Sequence, residues 1–186
     1  MDTIKKEDVS AVEDLMREHG LLNRILIIYD EIIRRLENNL DVDKTIIIRS
    51  AQIIREFIEN YHEKTEEKYV FPLLIDHNVD ISLVNELLMQ HQTSRLMTDK
   101  IIKFNNKQEV LDNLKKFVKL YRYHESREDT IIFPEFHNLL SKKMYEEYGE
   151  LFEKDEDQKI GEGGFKKYLN EVIKIEKILD IFNFKE

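Results

Sequence analysis

The chain carries the segment YHEKTEEKYVFP at residues 61–72 and repeats its pattern as YHESREDTIIFP at residues 123–134. Both copies have Tyr, His and Glu in succession, a second Glu four residues after the His, and a closing Phe-Pro pair. A weaker likeness joins LMREHGLLNRI at 15–25 to LLMQHQTSRLM at 87–97, each with one central His. Each half of the chain therefore pairs a helix bearing one His with a helix bearing His-x-x-x-Glu, and this duplication predicts a two-fold pseudosymmetric site on a bundle axis.

Apolar residues recur at three- and four-residue steps along four stretches, which predicts four amphipathic helices. The predicted helices run from Val9 to about Leu36, from about Asp43 to Asp76–Asn78, from about Ser82 to Phe104, and from about Glu109 to Leu139. The predicted inward stripes include Met16, Tyr69 and Ile131. Because the connections are short, neighbouring helices are expected to be antiparallel, and the predicted fold is all-α, an up-down four-helix bundle over residues 8–140.

The composition of the chain changes after Ser141. A polar, acidic stretch leads to the helix-breaking segment GEGG at residues 161–164, and a last amphipathic pattern follows it. We expect residues 141–186 to form a helical C-terminal extension packed on the bundle or on a partner, and this extension is the candidate surface for a protein partner or self-association.

Composition excludes several classes of function. A formal net charge of −9 and a pI near 5.3 disfavour nucleic acid, which requires clustered Lys and Arg. The absence of cysteine excludes disulfides, thiolate-held zinc and iron–sulfur clusters ligated by this chain. No stretch approaches the roughly 20 apolar residues of a membrane span, and the first ten residues lack the apolar core of a signal peptide. We expect a cytoplasmic protein that binds neither nucleic acid nor membrane.

Four histidines and two glutamates fall within the predicted apolar stripes and so point into the core. They are His19, His62, Glu66, His91, His124 and Glu128. A lone His on an apolar face is usually a hydrogen-bonded core residue, and a lone His-x-x-x-Glu is usually a surface pair. Six such groups converging need a shared compensation, because burying unpaired carboxylates costs several kcal/mol each. Two cations would supply this compensation if the two carboxylates bridged them and each cation also bound two imidazoles. Imidazole and carboxylate ligands suit iron, manganese or zinc, and open coordination positions favour iron.

Other polar residues near these motifs have less distinctive patterns. His77 and His137 follow the Phe-Pro pairs and are expected to be exposed at helix ends. Glu63 and Glu125, each directly after a predicted ligand, are expected either to face solvent or to contact the ligands. Tyr69 and Tyr121 are candidate hydrogen-bond donors near the metals.

The sequence resembles the hemerythrin-like family, the HHE cation-binding domains, over roughly residues 10–140. The resemblance implies a bundle that holds two non-haem iron ions joined by an oxo or hydroxo bridge. It also implies that the first and third helices contribute one ligand each and that the second and fourth contribute two each. This again selects His19, His62, Glu66, His91, His124 and Glu128.

Two departures separate this chain from oxygen-carrying hemerythrins. Those proteins have a further His four residues after the third-helix His, where this chain has Arg95. They also have an Asp five residues after the last His, whereas the predicted carboxylate ligand here is Glu128, four residues after His124. The set of four His and two Glu looks more like that of the iron–sulfur cluster repair proteins, the regulators of cell morphogenesis and nitric oxide signalling. Those proteins usually carry a cysteine-containing N-terminal domain, whereas this chain has no cysteine.

Three functions are compatible with this pattern, and the pattern does not specify a catalysed reaction. The first is a di-iron protein that reacts with nitric oxide, dioxygen or peroxide, or delivers iron, under oxidative or nitrosative stress. The second is a sensor or interaction module that reports iron or oxygen through residues 141–186. The third is oxygen binding or storage, which Arg95 disfavours. Arg95 is expected either to pair with a carboxylate such as Glu66 or Glu128, or to steer an anionic or peroxide-like ligand. The alternative is that its aliphatic stem covers the core and its charge extends to water.

Overall fold

A computed structural model describes residues 10–181 and contains helices and connecting turns, with no strand in that range. The predicted all-α class is confirmed. The predicted start at Val9, and residues 182–186 of the extension, lie outside the described residues.

Four long helices form the bundle. α1 spans Ala11–Glu37 and α3 spans Ile81–Ile102. α2 runs over residues 44–76 as Lys44–Ile53, Ile54–His62, Glu63–Thr65, Glu66–Val70 and Phe71–Asp76, of which the second and fourth segments are π-helical. α4 runs over residues 107–139 as Lys107–Arg127, the π-helical Glu128–Ile132, and Phe133–Leu139.

Polar side chains set the starts of three of these helices. The Ser10 hydroxyl accepts from the Glu13 amide, and the Glu13 side chain accepts from the Ser10 amide in return. At the start of α2 the Asp43 side chain accepts from the Thr45 amide, and at the start of α4 the Asn106 side chain accepts from the Glu109 amide. The connections between helices are four to six residues long, so each helix runs antiparallel to the next, and α4 packs back against α1 to close the bundle.

Residues 141–181 form two further helices that lie against the bundle. α5 spans Lys142–Ile160 and packs on α1 and α2, while α6 spans Gly164–Ile178 and packs on α1, α2 and α5. The turn between them requires glycine, because Gly161 and Gly163 have φ values of 81° and 71°. A Cβ on Gly164 would clash with the side chain of Ile160.

The apolar core is divided into two clusters, one toward each end of the bundle. Along α1, Leu15 belongs to one cluster and Leu22 to the other, and along α4 the order is reversed, with Tyr121 before Ile132. The polar residues predicted to bind metal lie between the clusters on all four helices.

Two predicted core positions are wrong. Met16 is 46% exposed and Ile131 is 38% exposed, while their neighbours Leu15 and Ile132 are buried. In α4 the π-helical turn contains more residues than an α turn, so the inward stripe moves along by one position. In α1 the buried face runs through Ala11, Leu15, Glu18 and Leu22, and Met16 falls outside it.

Candidate metal centre

Six side chains from four helices meet between the two apolar clusters. They are the six predicted from the sequence, and each is at most 2% exposed: His19, His62, Glu66, His91, His124 and Glu128. The histidines form two pairs. The ring centroids of His19 and His62 are 4.7 Å apart, and those of His91 and His124 are 4.8 Å apart.

Each carboxylate reaches both histidine pairs. Glu66 places Oε1 3.4 Å from Nε2 of His62 and Oε2 3.5 Å from Nε2 of His91. Glu128 places Oε2 3.4 Å from Nε2 of His19 and Oε1 3.1 Å from Nε2 of His124. Ligand atoms of His19, His62, Glu66 and Glu128 all lie within 4.8 Å of one another, as do those of His91, His124 and Glu128.

The hydrogen-bonding capacity of this centre is unmet by protein atoms. Within residues 10–181, both oxygens of Glu66, both oxygens of Glu128 and Nε2 of His19 are buried without a hydrogen-bond partner. An unsatisfied buried carboxylate costs more than the roughly 1–3 kcal/mol of a neutral polar group. Such a concentration of orphaned acceptors is what a bound cation would satisfy, so these residues fit a metal.

The two carboxylates differ in how they hold a proton. Burial, and after it the charge of Glu128, raises the pKa of Glu66 to about 8. Burial acts in the same direction on Glu128, but His124 and His19 outweigh it and hold the pKa of Glu128 well below its usual range. The opposite directions follow from placing two carboxylates in one buried site, where ionisation of one disfavours ionisation of the other.

Every histidine of the centre donates its Nδ1–H to an oxygen on another helix. The bonds run from His19 to Asp129 (2.8 Å), from His62 to Glu18 (2.6 Å), from His91 to Glu67 (3.2 Å) and from His124 to Gln90 (2.8 Å). A donating Nδ1 leaves the lone pair on Nε2, which faces the centre in all four residues. These bonds therefore fix the tautomer and ring orientation that a metal ligand requires.

Sequence reasoning missed these four partners, although the repeat marked them. Glu18 and Gln90 directly precede the single His of each half, and Glu67 and Asp129 directly follow the second Glu of each repeated motif. The partners thus occupy matched positions in the two halves. Only the arrangement of the helices shows which histidine each one contacts.

Glu63 and Glu125 do not face solvent, so that alternative is wrong. They are 1% and 5% exposed, because each lies on a flank that contacts a neighbouring helix. Glu63 accepts from the hydroxyls of Tyr121 and Ser94, and Glu125 accepts from the Asn23 amide. Both carboxyls lie near ligand histidines, Glu63 near His91 and Glu125 near His19.

The guanidinium of Arg95 pairs with carboxylates, as expected, but with Glu63 and Glu67 and not with Glu66 or Glu128. It lies 2.6 Å from Oε2 of Glu63 and 2.5 Å from Oε1 of Glu67, the oxygen that also contacts His91. The alternative of a charge extended to water is wrong, since the side chain is 23% exposed and ion-paired.

Of the two candidate tyrosines and the two remaining histidines, only Tyr121 contacts the centre. Tyr121 lies against His124, with ring centroids 5.5 Å apart, whereas the Tyr69 hydroxyl donates to Asp155 on α5 and so is directed away from the centre. His77 and His137 are exposed at the ends of α2 and α4, as predicted.

The hydroxyl of Tyr61 is a further contact that sequence reasoning missed. It donates to Oε1 of Glu18 over 2.6 Å, while Oε2 of the same carboxylate holds His62.

None of the helices within residues 10–181 combines the length and the apolar composition of a membrane-spanning segment.

Comparisons with known proteins identify the family of this chain. Residues 10–136 match the model of the hemerythrin HHE cation-binding domain. Uncharacterized proteins of Mycobacterium tuberculosis and Mycobacterium bovis are 37% identical over 196 aligned residues, which cover all of this chain and 77% of each relative. No solved structure matches. A family match over most of the chain, together with buried His and Glu groups able to hold a metal, shows that the chain belongs to the hemerythrin HHE cation-binding family.

Proposed function

We propose that this chain is a non-haem di-iron protein that reacts with or senses a small ligand such as nitric oxide, dioxygen or peroxide. His19 and His62 would hold one iron at position A, and His91 and His124 would hold the other at position B. Glu66 and Glu128 would contribute to both positions. This role fits oxidative or nitrosative stress, or the delivery of iron.

The observation that carries the proposal is the pair of buried carboxylates with four unpaired oxygens. Each carboxylate has one oxygen near each histidine pair, so a single cation at one pair would leave oxygens unsatisfied at the other. Two cations satisfy all four oxygens and offset both negative charges.

Iron is the metal that the ligand chemistry and the family favour. Imidazole and carboxylate together suit iron, and cysteine, which would favour zinc or a cluster, is absent from the sequence. When bound, iron would supply redox chemistry toward nitric oxide, dioxygen or peroxide at the positions that this modest ligand set leaves open.

The protein's own residues limit what can reach the centre and how. Phe133 stacks on His19 and Phe71 stacks on His91, with ring centroids 5.3 Å and 5.6 Å apart. These rings cover His19 and His91, which are almost fully buried. The ring of Tyr121 lies against His124 and its hydroxyl donates to Glu63, so this pair can hold a proton near the centre.

Reversible oxygen carriage has weaker support. The place of the additional histidine of oxygen carriers holds Arg95, whose guanidinium is ion-paired with Glu63 and Glu67 and cannot act as a ligand. The finer likeness to iron–sulfur cluster repair proteins stays a prediction.

A sensor function is the second candidate, because a chain of contacts connects the centre to α6. The Tyr168 ring of α6 packs on Phe57, which packs on Tyr61, whose hydroxyl holds Glu18 against His62. Metal binding at His62 would restrain this chain of side chains. Slower amide hydrogen exchange in Gly164–Ile178 on iron binding would support the sensor, and unchanged exchange would count against it.

Metal analysis tests the di-iron proposal. We expect two irons per chain in the purified protein, with the charge-transfer absorption of a bridged ferric pair. Glu66→Ala and Glu128→Ala should each lose at least one iron, because each carboxylate serves both positions. His77→Ala is the control and should retain full occupancy, since His77 is exposed at a helix end. Two irons retained in both glutamate variants would refute the shared-carboxylate assignment.

A reaction assay then separates the functions. Consumption of peroxide or nitric oxide supports the proposed reaction, whereas stable and reversible uptake of dioxygen supports oxygen storage instead.

A further inference from the structure

The surroundings of positions A and B carry different charges, although the chain repeat relates the two. At position A both histidines donate Nδ1–H to carboxylates, His19 to Asp129 and His62 to Glu18. At position B, His91 donates to the carboxylate of Glu67. His124 instead donates to the neutral amide oxygen of Gln90.

Cations increase this difference. At position B, Arg95 is ion-paired with both Glu63 and Glu67, and Lys64 also contacts Glu67. At position A the corresponding carboxylates are Glu18, Glu125 and Asp129. Within residues 10–181, no lysine or arginine lies within ion-pairing distance of any of these three. The formal charge of these surroundings is therefore negative at A and balanced at B.

Two differences between the repeat copies produce this asymmetry. Glu18 precedes His19, where Gln90 precedes His91; Asn23 stands four residues after His19, where Arg95 stands four residues after His91. The first change removes a negative charge and the second adds a positive one, so both make the second half of the chain less negative. The structure places both of them beside the histidines of position B, since Gln90 contacts His124 and Arg95 contacts Glu67.

We propose that position A binds its metal first and retains it more tightly, and that position B is the exchangeable position. This inference rests on the proposed di-iron function. A carboxylate that accepts from Nδ1–H makes the imidazole a stronger ligand than an amide does, and its negative charge attracts the cation directly. Position B, with an amide partner and a compensating arginine, is the one that gains and loses iron.

The first experiment is a titration of metal-free protein with ferrous iron under anaerobic conditions, against a competing chelator. Because outer partners of ligating histidines typically change metal affinity by about 10- to 100-fold, we expect two binding steps separated by about that factor. His19→Ala should remove the tighter step, and His91→Ala should remove the weaker one. Equal steps in the unmodified protein, or loss of the tighter step in His91→Ala, would overturn the inference.

The second experiment introduces the missing carboxylate and does not depend on a destabilised variant. Gln90→Glu should tighten the weaker step by about 10-fold and bring the two steps together. Gln92→Glu adds the same charge at an exposed position of the same helix and should leave both steps unchanged. Equal effects of the two substitutions would overturn the inference. A protein that binds no iron at all would overturn the proposed function itself, which distinguishes the two failures.

Discussion

Glu59 is a buried carboxyl outside the metal centre, and its replacement by glutamine should stabilise the metal-free protein at alkaline pH. The side chain is fully buried on α2, 2.8 Å from Nε of Arg55. Burial raises its pKa from 4.5 to about 7, although Thr98 and Arg55 favour the ionised form. The folded state therefore keeps a proton that the unfolded chain releases between these two values.

The sign of the effect follows from proton linkage. Between pH 4.5 and about 7 the folded state binds more protons at Glu59 than the unfolded state, so the free energy of unfolding falls as pH rises. The full loss corresponds to about 3 kcal/mol and is complete above the folded-state pKa. Glu59→Gln has nearly the same shape and no charge, so it should abolish this loss.

Urea denaturation of chelator-treated protein, followed by circular dichroism, measures the effect. The variant and the unmodified protein should have similar free energies of unfolding near about pH 5, and the variant should be more stable by about 3 kcal/mol near about pH 8. Glu146→Gln removes a charge from an exposed position of α5 and should change stability little at either pH. A difference that is the same at both pH values would refute the reasoning.

Two further predictions concern buried contacts. Tyr61→Phe removes the donor to Glu18 and should lower the free energy of unfolding by about 1–3 kcal/mol in urea denaturation, because a buried carboxylate oxygen loses its partner; an unchanged midpoint would contradict this. Arg24→Met removes two bonds to Glu176, 2.8 Å and 2.5 Å long, and leaves that carboxylate buried without them. It should speed amide exchange in Gly164–Ile178 relative to α3, and equal protection of both helices would show that this pair does not hold α6 in place.

The helices and the six central residues were predictable because they depend on local periodicity and on a repeat. Spacing along one helix determines which side chains share a face, so His62 with Glu66 and His124 with Glu128 follow from the chain itself. The bounds of α2 agree with prediction for the same reason, since Asp43 is a capping residue at its start and a polar turn follows Asp76.

Contacts between helices were not predictable in this way. Arg95 was expected to reach Glu66 or Glu128, but the carboxylates of Glu63 and Glu67 meet it instead. Which of two adjacent carboxylates is nearer depends on the rotation and separation of α2 and α3, and the sequence of either helix alone does not contain that information.

The sequence by itself determined that four histidines and two glutamates point into an all-α core, because hydrophobic periodicity and the internal repeat are properties of the chain. Only the tertiary structure decided how those groups are supported. It assigned the Nδ1 partners Glu18, Glu67, Gln90 and Asp129, it shifted the inward stripe of α4 through a π-helical turn, and it placed α5 and α6 on α1 and α2. These features depend on distances between segments far apart in the chain, which arise only when the helices pack together.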